Sequence, residues 1–351
     1  MREEGIRLKT VKTERSTTVS PEEAMRQLQE IFKERGSKAL QIARREVLKE
    51  KITSKEAREA LTYFMTEYWR DLARPTLLSL ACEAVGGDPE LTTPVAVSMI
   101  LISGGIDVHD DIIDRSKSKN RRSTVYGKFG KDIALLVGDA LLFKGLTLLH
   151  ENIPRKISSE KMTLIIDAIQ KTFFELGDAE ALELQLRRCI DVSPQEYLQI
   201  VQRKAADVEA HTRIGAILGD ASEKEIQALS QFGRQLGMMI ILRDDWIDLL
   251  DLQESRHRIM KECLPIPILY ALKDPKIKPK LNSILQEARI TLRTAKAIKE
   301  LTLKARTTKQ FTKLMHTLAK DAIAKLESLG PNTGELTLLV QASLSSLAES
   351  P

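Results

Sequence analysis

Asp110, Asp111 and Asp114 stand in the stretch GGIDVHDDIIDRS, residues 104–116, with Asp107 one turn earlier. A second set, Asp244, Asp245 and Asp248, stands in GMMIILRDDWIDLLD, with Asp251 a turn further on. At about 100° per residue, each set falls on one face of a helix. The text before each, PVAVSMILIS and GMMIIL, is almost wholly apolar, which marks buried helices rather than solvated surface. Carboxylates crowded in such surroundings repel one another and are costly to desolvate, so a cation must neutralise them. Oxygen ligands without His or Cys companions favour Mg²⁺, which completes its shell with water and phosphate oxygens. Two facing acidic walls with Mg²⁺ between them would clamp a diphosphate. The chemistry would be metal-assisted departure of that group, leaving a carbocation in an apolar tunnel.

The elements that must hold these residues are helical. Hydrophobic residues make up 42% of the 351, aromatics only 4%, and Gly and Pro number 17 and 12, a text of helix formers. Apolar residues recur at spacings of three and four, broken by short punctuation at 86–89, 115–124, 151–156, 191–194 and 219–225. This predicts an all-α protein, a single large helical bundle of ten or so antiparallel helices around a central cavity. Residues 1–20 lack apolar periodicity and read as a flexible extension; Ser20 and Pro21 open the first helix of one domain, 21–351.

The net charge of +5 arises from 54 basic and 49 acidic residues, mostly interspersed, so nucleic acid is not an expected partner. Residues 272–327 are rich in Lys and Arg; a solvated helix face is the plainer reading, and peripheral contact with an anionic membrane the sharper one. Cys82, Cys189 and Cys263 have no metal-type spacing and read as reduced core thiols. Neither a signal-like apolar segment near Met1 nor an uninterrupted apolar run of about 18 residues is present. The expectation is therefore a soluble cytoplasmic protein.

With both motifs in view, the sequence resembles the trans-isoprenyl diphosphate synthase (polyprenyl synthetase) family over roughly residues 70–275. HDDIIDRS looks like its first aspartate-rich motif and RDDWIDLLD like its second; STVYGKFG, LLVGDALLFKG and EYLQIVQRKAADVEAHTRIGAILG resemble further family segments. The resemblance implies Mg²⁺, three ions per site with diphosphate bound, on Asp110, Asp111, Asp114, Asp244, Asp245 and Asp248. It implies that Lys204 and Lys261 hold the allylic diphosphate, that Arg121 and Arg122 are the arginine pair after the first motif, and that the assembly is a homodimer.

The departures are as informative. In WRDLARP, Arg74 and Pro75 remain, but Asp71 and Leu72 stand where the family has lysine and arginine. Ser103 replaces a histidine, and Ile240 and Ile241 replace Phe-Gln. The contacts for isopentenyl diphosphate are thus eroded while the metal and allylic half is kept. Asp107, an apolar position in the family, could orient a polar acceptor, take a proton from it, or simply pair with a Lys or Arg. Gly104, Gly105 and Ile106 stand where aromatic side chains limit chain length in the family, which implies an open tunnel and an allylic chain of about C20 or longer. The expected activity is prenyl transfer to isopentenyl diphosphate or, preferably, to a different nucleophile. A terpene cyclase of the same fold and a non-catalytic partner subunit are the alternatives.

Overall fold

The structure is a computed structural model and describes residues 21–119, 121–152, 157–304 and 306–345. The extension 1–20, with Ser20, lies outside the described residues. The helices, in chain order, are α1 (Pro21–Leu48), α2 (Lys55–Tyr63), α3 (Ala73–Ala84), α4 (Thr93–Ile113), α5 (Val125–Asn152), α6 (Ser159–Gln185), α7 (Pro194–Lys204) and α8 (Ala206–Leu218). They continue with α9 (Glu223–Leu250), α10 (Leu252–Lys261), α11 (Ile266–Ala271), α12 (Lys278–Leu285), α13 (Leu292–Lys304), α14 (Thr307–Leu326) and α15 (Gly334–Ser345). The fold is all-α, as the composition predicts. There are more helices than the ten or so expected, because caps divide runs whose apolar period is continuous. Asp251, read with the second aspartate set as lying on the same helix face, is one such cap instead: its carboxylate accepts the backbone N–H groups of Gln253 and Glu254 and starts α10. Ser193 with Glu196 and Ser222 with Glu225 form capping boxes that start α7 and α9.

One strand pair was not anticipated. β1 (Ser118–Lys119) and β2 (Arg122–Ser123) form a small antiparallel hairpin between α4 and α5, with Arg121 at its turn in the left-handed region, φ 61°.

α4 is the axis. Val95, Met99 and Ile102 belong to a core shared with α3, α8, α9 and α14, while Val97, Ile100, Leu101 and Val108 pack with Phe64, Met65, Trp69 and Leu141 in a second core. Helices apolar on all sides are found where cores meet. The second-motif helix α9 is held by a stack of Trp246 on Phe311 of α14, centroids 4.9 Å apart. α4 and α5 approach closely through glycine. A Cβ on Gly105 would lie 2.8 Å from the Gly138 carbonyl oxygen and 2.7 Å from Leu142 Cγ. Gly104 faces Phe64 and Trp69 in the same way. The two glycines therefore serve helix packing and line neither cavity described below, which corrects the expectation that they open the tunnel. Gly105→Ala is expected to cost about 1–3 kcal/mol through overpacking, measured by urea denaturation.

Residues Pro89–Ile113 and Val125–Glu151 are each long and apolar enough, by length and composition alone, to cross a membrane, although charges interrupt both. The first is largely buried in the core. Cys82 and Cys263 are buried as expected, whereas Cys189 is exposed.

Candidate functional site

The aspartates sit at the C-terminal ends of α4 and α9, and neither helix has a basic residue in its last turn. This is the negative end of each helix dipole, so the carboxylates deepen the negative potential there instead of relieving it. Compensation comes from other elements. Lys119 of the hairpin lies 3.1 Å from Asp110 Oδ2 and 2.9 Å from Asp111 Oδ1. Arg187, just after α6, lies 3.1 Å from Asp114 Oδ1. Lys204, at the end of α7, pairs with Glu180 at 2.7 Å and Glu183 at 2.6 Å. Arg258 of α10 reaches Asp245 at 2.7 Å and Asp248 at 2.9 Å.

A cavity of about 580 Å³ lies between the two clusters and is lined by Asp110, Asp114, Lys119, Lys204, Asp244, Asp248 and Arg258, among others. A second, of about 630 Å³, has apolar walls of Ile106, Leu142, Phe173, Leu176 and Ile240. The two share Asp110, Lys204, Ile241 and Asp244. The first is lined by seven carboxylates against four Lys and Arg, an excess of negative charge that divalent cations would balance. Oxygens of Asp110, Asp114 and Glu180 lie within 4.8 Å of one another, close enough to share one ion. The donor set therefore fits Mg²⁺.

Adjacent aspartates diverge, because successive side chains point 100° apart. Asp110, Asp114, Asp244 and Asp248 face the cavity; Asp111 and Asp245 do not line it. Asp245 is fully buried, accepting hydrogen bonds from the Tyr197 hydroxyl at 2.9 Å and the Ile266 N–H at 3.1 Å. The resemblance implies that Asp111 and Asp245 are direct ligands, whereas both lie behind the cavity wall that Asp110, Asp114, Asp244 and Asp248 form. Arg121 and Arg122 are exposed on the hairpin, whose turn carries them away and brings Lys119 in. Lys261 is exposed at the end of α10, and Arg258, one turn earlier, occupies the cavity. Lys204 lines both cavities. Reasoning from the sequence missed Lys119, Glu180, Glu183, Arg187 and Arg258. The i, i+3 spacing of Glu180 and Glu183 on a helix with apolar neighbours was the one available signal.

Burial pushes the Asp107 carboxyl up to about 7 against the pull of Arg74, and burial likewise raises Asp111 and Asp245 to about 6. Burial and the neighbouring Asp110 raise Asp114 as well. Each of these groups holds its proton more tightly folded than unfolded, where the value is 3.8. Their contribution is thus complete below pH about 4 and is lost as pH rises through about 6 to 8. Without divalent cations the melting temperature is expected to fall between pH 5 and 7.5. Mg²⁺ should raise it more at the higher pH, since it competes with protons for the carboxylates; differential scanning fluorimetry in chelator and in Mg²⁺ measures both.

A family model described as polyprenyl synthetase matches residues 55–302. The chain belongs to that family. It is 33% identical over 183 residues to a short chain isoprenyl diphosphate synthase of Methanothermobacter thermautotrophicus, covering 52% of this chain and 55% of that one. It is 33% identical over 189 residues to a geranylgeranyl diphosphate synthase of Methanosarcina mazei, covering 53% and 57%. The chain thus spans about half the length of the curated relatives it matches. The solved geranylgeranyl pyrophosphate synthetase of Pyrococcus horikoshii superposes with a TM-score of 0.79 at 24% identity, covering 93% of this chain and 100% of that one. A polyprenyl synthase of Caulobacter crescentus, complexed with calcium and isoprenyl diphosphate, gives 0.76 at 18%, covering 96% and 100%. At these identities the likeness shows the polyprenyl synthetase fold.

Proposed function

We propose that this polyprenyl synthetase family member is a Mg²⁺-dependent prenyltransferase that ionises a long all-trans allylic diphosphate, about C20 or longer on the strength of the apolar cavity of about 630 Å³ and not of the glycines, and passes the prenyl group to an acceptor. The observation that carries the reading is the junction of an acidic cavity and an apolar one at Asp110, Lys204 and Asp244. Asp110, Asp114, Asp244 and Asp248, with Glu180, are the side chains that would hold the ions, three with diphosphate bound. When bound, Mg²⁺ supplies electrostatic stabilisation of the departing diphosphate. Lys119, Lys204 and Arg258 neutralise its oxygens, arginine with a bidentate fork. Ile106, Leu142, Phe173 and Leu176 keep water from the prenyl chain.

A homodimer is part of this reading. Leu136 and Phe143 of α5 and Ile166 and Phe174 of α6 are exposed large apolar residues, with Phe143 at 72% and Phe174 at 75%. A second copy would cover them. Exposed Lys273, Lys276, Lys280, Arg293, Lys296, Lys309, Lys313 and Lys320 support a cytoplasmic protein that touches anionic membrane, where a prenylated product would partition.

The test is turnover of radiolabelled C15, C20 and C25 allylic diphosphates with Mg²⁺, with and without isopentenyl diphosphate. Preferential diphosphate release from the longer substrates is expected. Release accompanied by a single-substrate hydrocarbon would identify a cyclase instead, and no release from any of them would leave the partner-subunit alternative. Light scattering of Phe143→Asp against the parent protein tests the dimer.

A further inference from the structure

The apolar cavity has a polar end that the diphosphate site does not use. Arg74, in the first turn of α3, commits its guanidinium to carboxylates from three elements. Nη1 donates to Asp71 Oδ2 at 2.6 Å, Nε donates to Asp207 Oδ2 at 2.7 Å, and Nη2 lies 3.6 Å from Asp107 Oδ1. Asp71 is further engaged as a cap, accepting the Ala73 N–H at 2.7 Å. Asp207 also faces His211 Nδ1 at 3.6 Å. Asp107 differs: its contact with Arg74 is the longest of the three, and its side chain is 38% exposed, in the cavity wall. Ser103, one turn before Asp107 on α4 and 2% exposed, lines the same cavity beside Asp207, with its Oγ in no well-formed hydrogen bond.

We infer that the acceptor is a neutral or cationic molecule bearing an O–H or N–H group, held at this polar end by Asp107 and Ser103, and not a second diphosphate. The inference rests on the reading of the site as an allylic prenyltransferase. The cavity is lined by five carboxylates against two Arg and Lys; Arg74 is committed as above, and Lys204 is already taken by the allylic diphosphate in the proposed reaction. A diphosphate placed here would meet Asp107 and Asp207 with no free cation among the lining residues. Each such like-charge contact lowers affinity about ten-fold or more. A hydroxyl or ammonium would instead donate to Asp107. Asp107 stands three residues, about 4.5 Å of helix rise, before Asp110, so a nucleophile resting on it lies beside the reacting end of the allylic chain. In the transfer the C1–O bond of the allylic diphosphate breaks and its electron pair leaves with the diphosphate. A lone pair on the acceptor oxygen or nitrogen forms the new bond to C1: a hydroxyl passes its proton to the Asp107 carboxylate as the bond forms, whereas an ammonium first passes one proton to Asp107 to free its lone pair and the alkylated nitrogen then carries the positive charge.

Three probes with one carbon skeleton separate charge from shape: isopentenyl diphosphate, 3-methyl-3-buten-1-ol and 3-methyl-3-buten-1-amine. The full chain, loaded with Mg²⁺ and geranylgeranyl thiolodiphosphate, which does not ionise, is titrated with each by calorimetry. The amine is expected to bind at least about ten-fold tighter than isopentenyl diphosphate, with the alcohol between them. Asp107→Asn, which keeps the side chain's shape, should remove that preference, and Asp107→Glu should keep part of it. With geranylgeranyl diphosphate, Asp107→Asn should lower kcat for N-prenylation of the amine while leaving KM for the allylic substrate within about two-fold. Tightest binding of isopentenyl diphosphate, or an unchanged order in Asp107→Asn, would overturn the inference while leaving the allylic site intact. Failure of the thiolodiphosphate itself to bind would overturn both.

Discussion

Asp110→Asn is expected to lower turnover of the allylic diphosphate by about a thousand-fold or more while leaving the cation-free protein about as stable as the parent. Both halves follow from one geometry. Asp110 lines both cavities and offers an oxygen to the group it forms with Asp114 and Glu180. An amide there keeps the volume and removes the charge on which cation binding depends. In the empty site that charge is held by Lys119 and Lys204, which pull the Asp110 carboxyl below its ordinary value against burial, while the same charge pushes Asp111 and Asp114 up, so the two effects oppose each other. Losing it removes both, and Lys119 keeps Asp111 as a partner at 2.9 Å. Turnover in steady-state kinetics should therefore fall while the melting temperature in chelator stays level. A melting temperature that drops with the activity would instead make Asp110 a structural residue and sink the assignment. Mg²⁺ should also lose much of its stabilising effect on this variant, by ΔG = RT ln(1 + [Mg²⁺]/Kd).

What could be read in the sequence was what stood out against its background. Four aspartates in a segment as apolar as residues 94–106 have no plain structural account, so the first cluster was legible, and its twin at 244–248 made the pair interpretable. The helical class was legible for the same reason, since a continuous three-four period leaves little room for sheet. The partners of those aspartates were not. Lys119 is one of several cations in RSKSKNRRS, and only the β1–β2 hairpin, with Arg121 at its turn, selects it over Arg121 and Arg122. Arg258 lies in ESRHRIMKE, where nothing local distinguishes it from Arg256 or Lys261 until α10 folds against α9. Arg74 and Asp207 are 133 residues apart, and no local pattern joins them. The glycines failed in the opposite direction: GG before the motif suggested space, and the structure fills it with Phe64 and Leu142. Period and composition report on one element at a time, whereas charge pairing across elements is decided by tertiary contact.

Arg258→Met shows how far that pairing carries stability. Arg258 is 13% exposed, and its guanidinium spans Asp245 at 2.7 Å, Asp248 at 2.9 Å and Glu262 at 3.4 Å. Asp245 has no exposure at all. Removing the cation leaves that carboxylate with the Tyr197 hydroxyl and the Ile266 N–H alone, and an unpaired buried charge costs about 3–5 kcal/mol. Chemical denaturation at pH 7.5 should show a loss of that order. At pH 5 the loss should be smaller. Asp245 already titrates at about 6 with Arg258 beside it, and removing the cation raises it further, so protonation at low pH abolishes the charge that has lost its partner. Adding Asp245→Asn to Arg258→Met should recover most of the stability, since an amide can keep the tyrosine and backbone contacts without a charge. It should not recover affinity for the allylic diphosphate, because Arg258 also faces the cavity. Recovery of both would mean that Arg258 serves only to hold Asp245. Recovery of stability alone would separate its two roles, a fixed cation for the buried carboxylate and a fork for the leaving group.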